Sequence, residues 1–130
     1  MTARSARLRV LVVEDELLIR WSVAQTLTAS GHTVIEAVDA RGALDLLETP
    51  GLPFDVVLLD CRLPDSRDLR LLAAVRQVSP ESAVILMTAY GSPDIVDGAL
   101  ALGACDVLDK PFDLMAMEGA ISAAHSGRSH

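Results

Sequence analysis

Phe54-Asp55-Val56-Val57-Leu58-Leu59-Asp60-Cys61-Arg62-Leu63-Pro64 is an aliphatic run that ends in a carboxylate and is soon followed by proline. Four consecutive aliphatics between turn-forming residues read as a strand buried on both faces. Its last residue, Asp60, then reaches the loop beyond the sheet. Two other stretches have the same form. Val10-Leu11-Val12-Val13 runs into Glu14-Asp15, and Val107-Leu108-Asp109 runs into Lys110-Pro111-Phe112.

Working outward, strand-like and helix-like segments alternate along the chain. Strands are predicted over 9–13, 33–37, 54–59, 83–87 and 107–109. Helices are predicted over 17–29, from a cap at Asp39 to about Glu48, over 68–78, from a cap at Ser92 to about Leu102, and over 113–124. Gly31 and Gly103 sit where helices close in the left-handed conformation, and Pro93 stands at a first helical position. Five strand–helix pairs predict an α/β fold: a (βα)5, doubly wound, five-stranded parallel sheet of flavodoxin-like form. Residues 8–124 are expected to form this domain, with flexible ends at 1–7 and 125–130.

At 130 residues, 51% hydrophobic but only 3% aromatic, the chain suits one aliphatic core. No apolar run approaches the ~18 residues of a membrane span, and the apolar stretch after the N-terminal arginines is too short for a signal peptide. The expected location is the cytoplasm. The net charge of −7 argues against this domain gripping nucleic acid by electrostatics. Cys61 and Cys105 lack metal-site spacing and read as reduced thiols, Cys61 as a packing residue.

In doubly wound sheets the site lies beyond the carboxyl ends of the strands. That rule gathers Glu14, Asp15, Asp60, Thr88 and Lys110 on one rim. Clustered acids repel, and a hard divalent cation relieves the conflict. Mg²⁺ (or Mn²⁺) on Asp15, Asp60 and a backbone carbonyl, together with Lys110, can neutralise a phosphoryl group on Asp60, and Thr88 can hydrogen-bond one of its oxygens. Each residue also has a plainer reading as a solvated acid, a surface lysine or a strand-end threonine; the combination points to phosphoryl transfer.

The chain resembles the receiver domain of two-component response regulators. The matching pieces are Val12-Val13-Glu14-Asp15-Glu16, Leu58-Leu59-Asp60 with Leu63-Pro64, Met87-Thr88-Ala89-Tyr90, and Gly103-Ala104 leading to Lys110-Pro111-Phe112. Together they span residues 8–124. Thr88-Ala89-Tyr90-Gly91-Ser92 with Lys110-Pro111-Phe112 looks most like receivers of enhancer-binding transcription activators.

The resemblance implies that Asp60 accepts phosphate from a sensor histidine kinase or a histidine phosphotransfer protein. Asp15 would hold Mg²⁺ directly, Glu14 through water, and the carbonyl of Arg62 would add a ligand. Thr88, Ala89 and Lys110 would bind the phosphoryl oxygens, and Thr88 would move inward on activation. The face made by the fourth helix, fifth strand and fifth helix would serve output or homodimerisation, and Gly98 and Gly119 are expected to soften it.

Several positions depart from that family. Val107 replaces the usual aromatic three residues before the lysine, so the signal is expected to pass without an aromatic gate. Asp68 stands where glycine is usual. Arg62 and Tyr90, each two residues past a site residue, are expected to stack and slow phosphate loss. On the first helix, Ile19, Val23, Thr26 and Leu27 fall on one face. Leu17, Trp21 and Ala24 point away, and Leu17 and Trp21 make a candidate patch for the phosphodonor. His32, His125 and His130 read as surface residues.

Three other functions share parts of this pattern. A pseudo-receiver that never takes phosphate usually lacks one of the five site residues, and all five are present. An aspartyl-phosphate hydrolase needs an acid two residues after its nucleophile, where this chain has Arg62. A flavodoxin-like cofactor binder needs a hydroxyl- and glycine-rich loop where this chain has Glu14-Asp15-Glu16.

Overall fold

The computed structural model describes residues 7–66, 69–89, 91–110 and 113–128. Its strands are β1 (Arg9–Val13), β2 (Thr33–Ala37), β3 (Val56–Asp60), β4 (Ala83–Thr88) and β5 (Asp106–Asp109). Its helices are α1 (Leu17–Ala29), α2 (Ala40–Leu47), α3 (Arg70–Val78), α4 (Pro93–Ala101) and α5 (Leu114–Arg128). The strands form one parallel sheet in the order β2-β1-β3-β4-β5. The chain therefore winds one way from β1 to β2 and the other way from β3 onward, as expected for a doubly wound fold.

The continuous aliphatic runs follow from burial on both faces. Successive side chains of a strand point to opposite sides. Leu11, Val13, Val57, Leu59, Val84 and Leu86 pack into the core shared with α2, α3 and α4. Val10, Val12, Val56, Leu58, Ile85 and Met87 pack into the core shared with α1 and α5. All twelve are buried, so no polar alternation survives in the three central strands. Deleting one such Leu side chain costs roughly 2–5 kcal/mol.

The helix ends follow local chemistry. Asp39 caps α2 by accepting from Gly42 N at 2.8 Å, and Ser92 caps α4 with Pro93 at its start. Gly31 and Gly103 adopt φ of 97° and 103°, the left-handed region that closes a helix. α3 begins at Arg70, two residues later than expected, and α5 continues to Arg128, past the expected end at Ala124. Arg67, Asp68, Tyr90, Pro111, Phe112, His130 and residues 1–6 lie outside the described residues.

Two surface assignments are corrected. Ala24 is buried with Val23 and Leu27, because the covered stripe of α1 is wider than expected. His32 is also buried. Its Nδ1 accepts from Leu8 N at 3.1 Å, so Nε2 carries the proton it donates to Glu118 Oε1 at 2.8 Å. α5 covers the α1–β2 connection, which turns a residue that reads as part of an open turn into an interior one. Cys61 is buried in the core, as its position after Asp60 requires. Among the described residues, no helix is long and apolar enough to cross a membrane.

Candidate functional site

The carboxyl ends of β1, β3, β4 and β5 converge on one rim. Asp60 ends β3 and Thr88 ends β4. Glu14 and Asp15 follow β1, and Lys110 follows β5. Backbone pairing sets their relative heights: Glu14 N donates to Ala37 O at 3.1 Å and Lys110 N to Thr88 O at 2.7 Å. Central-strand packing thus fixes where the polar residues emerge.

Lys110 Nζ lies 2.6 Å from Glu14 Oε1 and 3.2 Å from Asp60 Oδ2, bridging the two acids. Asp60 Oδ1 accepts from Arg62 N at 3.2 Å, and Glu14 Oε2 from Glu16 N at 3.1 Å. Glu14, Asp60 and Thr88 are buried, while Asp15 is exposed. One carboxylate oxygen from each of Glu14, Asp15 and Asp60 lies within 4.8 Å of the other two.

Three carboxylates beside one ammonium leave the cluster short of positive charge. Burial pushes the Glu14 carboxyl up from 4.5 to about 7, and the Asp60 charge adds to this, against the pull of the Lys110 hydrogen bond and Glu16 N. Burial works against the charged form of Lys110. The hydrogen bond to Glu14 and the charges of Asp60 and Glu14 outweigh it, and hold the ammonium above its ordinary 10.5. Hard oxygen donors, an exposed Asp15 and uncompensated negative charge all suit a hard divalent cation.

Beside the acids, an open cavity of about 530 Å³ is lined by Ile19, Ser22, Val23, Ala89, Lys110 and Leu114, among others. Leu17, Leu18 and Trp21 on α1 and Met115 on α5 are exposed large apolar residues, with Trp21 56% exposed. The expected docking residues Leu17 and Trp21 therefore face solvent, and Leu18 joins them. Val107 packs against the core cluster on the α2–α3–α4 face. Tyr90, expected to stack on Arg62, lies outside the described residues.

Arg20, which supports the site, and Asp65, in the loop beyond Asp60, escaped the sequence reading. Arg20 on α1 donates from Nη1 to the Glu14 carbonyl and from Nε to Glu36 Oε1, both at 2.9 Å, and so holds the acidic loop against β2. Asp65, in the loop after β3, accepts from Ala40 N at 2.8 Å and Arg41 N at 3.1 Å. Both reach partners distant in sequence, and neither belongs to a motif.

The profile of a family described as "Response regulator receiver domain" matches residues 10–122. The response regulator protein PilR of Pseudomonas aeruginosa is 37% identical over 119 residues, covering 92% of this chain and 26% of that protein. The chain thus spans about a quarter of that relative's length. Sporulation initiation phosphotransferase F of Bacillus subtilis is 31% identical over 113 residues, covering 87% of this chain and 90% of that protein. Among solved structures, a CheY-like response regulator receiver domain protein from Methanospirillum hungatei JF-1 matches with a TM-score of 0.88 and 27% identity, over 95% of this chain and 98% of that one.

Proposed function

The chain belongs to the response regulator receiver domain family, and we propose that it accepts a phosphoryl group on Asp60 from a phosphohistidine of a sensor kinase or phosphotransfer protein. An Asp60 carboxylate oxygen attacks phosphorus, the N–P bond breaks, and the histidine nitrogen keeps the electron pair and takes up a proton. The observation that carries this reading is Lys110 Nζ within reach of both Glu14 and Asp60, at the ends of three different strands. Lys110 then turns from Asp60 Oδ2 to a phosphoryl oxygen, while the Thr88 hydroxyl and Ala89 N–H take the others.

Asp15 and Asp60 with the Arg62 carbonyl, and Glu14 through water, would hold Mg²⁺ or Mn²⁺. When bound, the ion neutralises charge that builds on the phosphoryl oxygens. Retention of all five site residues favours this reading over a pseudo-receiver. The absence of an acid at position 62 favours it over a hydrolase.

The donor docks on Leu17 and Trp21, beside the cavity that Lys110 lines. Inward movement of Thr88 biases a two-state equilibrium and carries the signal without an aromatic at 107. The output face is α4, β5 and α5, where Leu100 and Leu102 are exposed and can meet a second copy. Arg62 and Tyr90 shield the phosphoryl group from water.

Incubation with Mg²⁺ and a small acyl phosphate, followed by intact mass, tests the proposal. One phosphoryl adduct is expected, lost when Mg²⁺ is chelated during the reaction and absent from Asp60→Asn. No adduct in the parent chain would favour the pseudo-receiver instead.

A further inference from the structure

The carbonyl of Arg62 shares its peptide group with Leu63 N, so the turn that follows β3 sets where it points. Arg62 is exposed, and its N–H reaches Asp60 Oδ1 at 3.2 Å. Beyond it the chain makes a tight turn: Leu63 N donates to Ser66 O at 2.8 Å and Ser66 N to Leu63 O at 3.3 Å. Leu63 is buried and pins one side of that turn. The other side is pinned by Asp65, whose two oxygens accept separately from Ala40 N and Arg41 N.

These N–H groups are two of the unpaired donors at the start of α2, and Asp39 takes a third through Gly42 N. The positive end of the helix favours a carboxylate there. Ala40 N holds the Asp65 carboxyl below its ordinary value, with Arg41 N adding to the effect. α2 is a firm anchor, because Ala40 and Ala43 are buried in the core. The loop that carries Arg62 is therefore stapled at its far end to a helix that supplies no group to the acid cluster.

We infer that Asp65 is a positioning residue for the metal step: by capping α2 it sets the 62–66 turn, and through it the carbonyl of Arg62. The inference rests on the proposed reading of that carbonyl as a metal ligand. Asp65 touches neither the phosphoryl group nor the cation. Its loss should weaken the cation without slowing the chemistry once the cation is bound. Groups that orient metal ligands typically change affinity by about 10- to 100-fold.

The test compares the parent chain, Asp65→Ala, Asp65→Asn and Glu48→Ala. The last removes an equal charge from the far end of α2. Calorimetric titration with Mg²⁺ gives affinity directly, and phosphorylation by a small acyl phosphate across Mg²⁺ concentrations gives a half-saturation point and a saturated rate.

Asp65→Ala is expected to lose about tenfold in Mg²⁺ affinity, with the half-saturation point rising in step and the saturated rate unchanged. Asp65→Asn keeps one acceptor oxygen and should fall between, and Glu48→Ala should match the parent. If Asp65→Ala does not fold, the Asp65→Asn titration decides. Parent-like Mg²⁺ affinity in the folded Asp65 variants overturns the inference alone, as does a fall in saturated rate at unchanged half-saturation. A parent chain that binds no Mg²⁺ overturns the metal reading and the inference with it.

Discussion

Replacing Glu14 with glutamine should change how stability depends on pH. Burial raises the Glu14 carboxyl from 4.5 to about 7 in the folded chain. The folded state therefore binds this proton more tightly than the unfolded state. Stability conferred by the protonated form is complete below the unfolded value and is lost as pH rises through the folded one. The rise from 4.5 to about 7 corresponds to about 3 kcal/mol, most of it lost between about pH 5 and pH 7.

The other shifted groups, Asp65 and Lys110, titrate outside that window, one below its ordinary 3.8 and one above its ordinary 10.5. Urea unfolding followed by far-ultraviolet circular dichroism, at pH steps across the window and without divalent cation, reads the effect. The parent should lose stability toward pH 8 and Glu14→Gln should lose about 3 kcal/mol less over the same range. Millimolar Mg²⁺ should flatten the parent profile, because a cation favours the ionised carboxylate. Parallel profiles for parent and variant, or a parent that gains stability toward pH 8, would refute the reasoning.

His32→Ala strands the Leu8 N–H and the Glu118 carboxylate. Urea unfolding should show a loss of about 1–3 kcal/mol, most of it from the buried Leu8 N–H left unsatisfied, because the Glu118 side chain is partly exposed. A Cβ on Gly91 would run into the Asp109 carboxylate. Asp109 is exposed and its carboxylate can swing aside, so Gly91→Ala should cost no more than about 1 kcal/mol, recovered by adding Asp109→Ala, as a thermal-melt double-mutant cycle can measure. Trp21→Ala should slow transfer from a histidine-phosphorylated protein donor about tenfold, for a contact worth about 1.4 kcal/mol. Its rate with a small acyl phosphate should stay at the parent value, and equal slowing with both donors would remove Trp21 from the docking surface.

The sheet could be read from the chain because β1, β3 and β4 are buried on both faces, which leaves nearly unbroken aliphatic runs such as Val56–Leu59. The candidate site could be read for a related reason: Glu14, Asp60 and Thr88 are the first polar residues to emerge from those runs, and parallel pairing brings them beside Lys110 after β5. Ala24 was misread because small residues sit at the margin of a helical stripe, where packing rather than periodicity decides.

His32 was misread because its partner Glu118 is 86 residues away on α5. Arg20 and Asp65 escaped for the same reason. Their partners are a strand residue and two backbone N–H groups at a helix start, which leave no local pattern. The apolar pattern reports which segments are buried. It carries little about which polar side chain reaches which distant group.

The central claim is that the Asp60 carboxyl itself carries the phosphoryl group. An acyl phosphate is reduced by borohydride to an alcohol, which turns aspartate into homoserine. Phosphorylation in Mg²⁺, borohydride treatment and peptide mass mapping therefore locate the reacting carboxyl. Homoserine at position 60 alone, with none at Asp15 or Asp109 and no 5-hydroxynorvaline at Glu14, is the predicted result. Reduction at another acid, or a phosphorylated chain that borohydride leaves unchanged, would contradict the account.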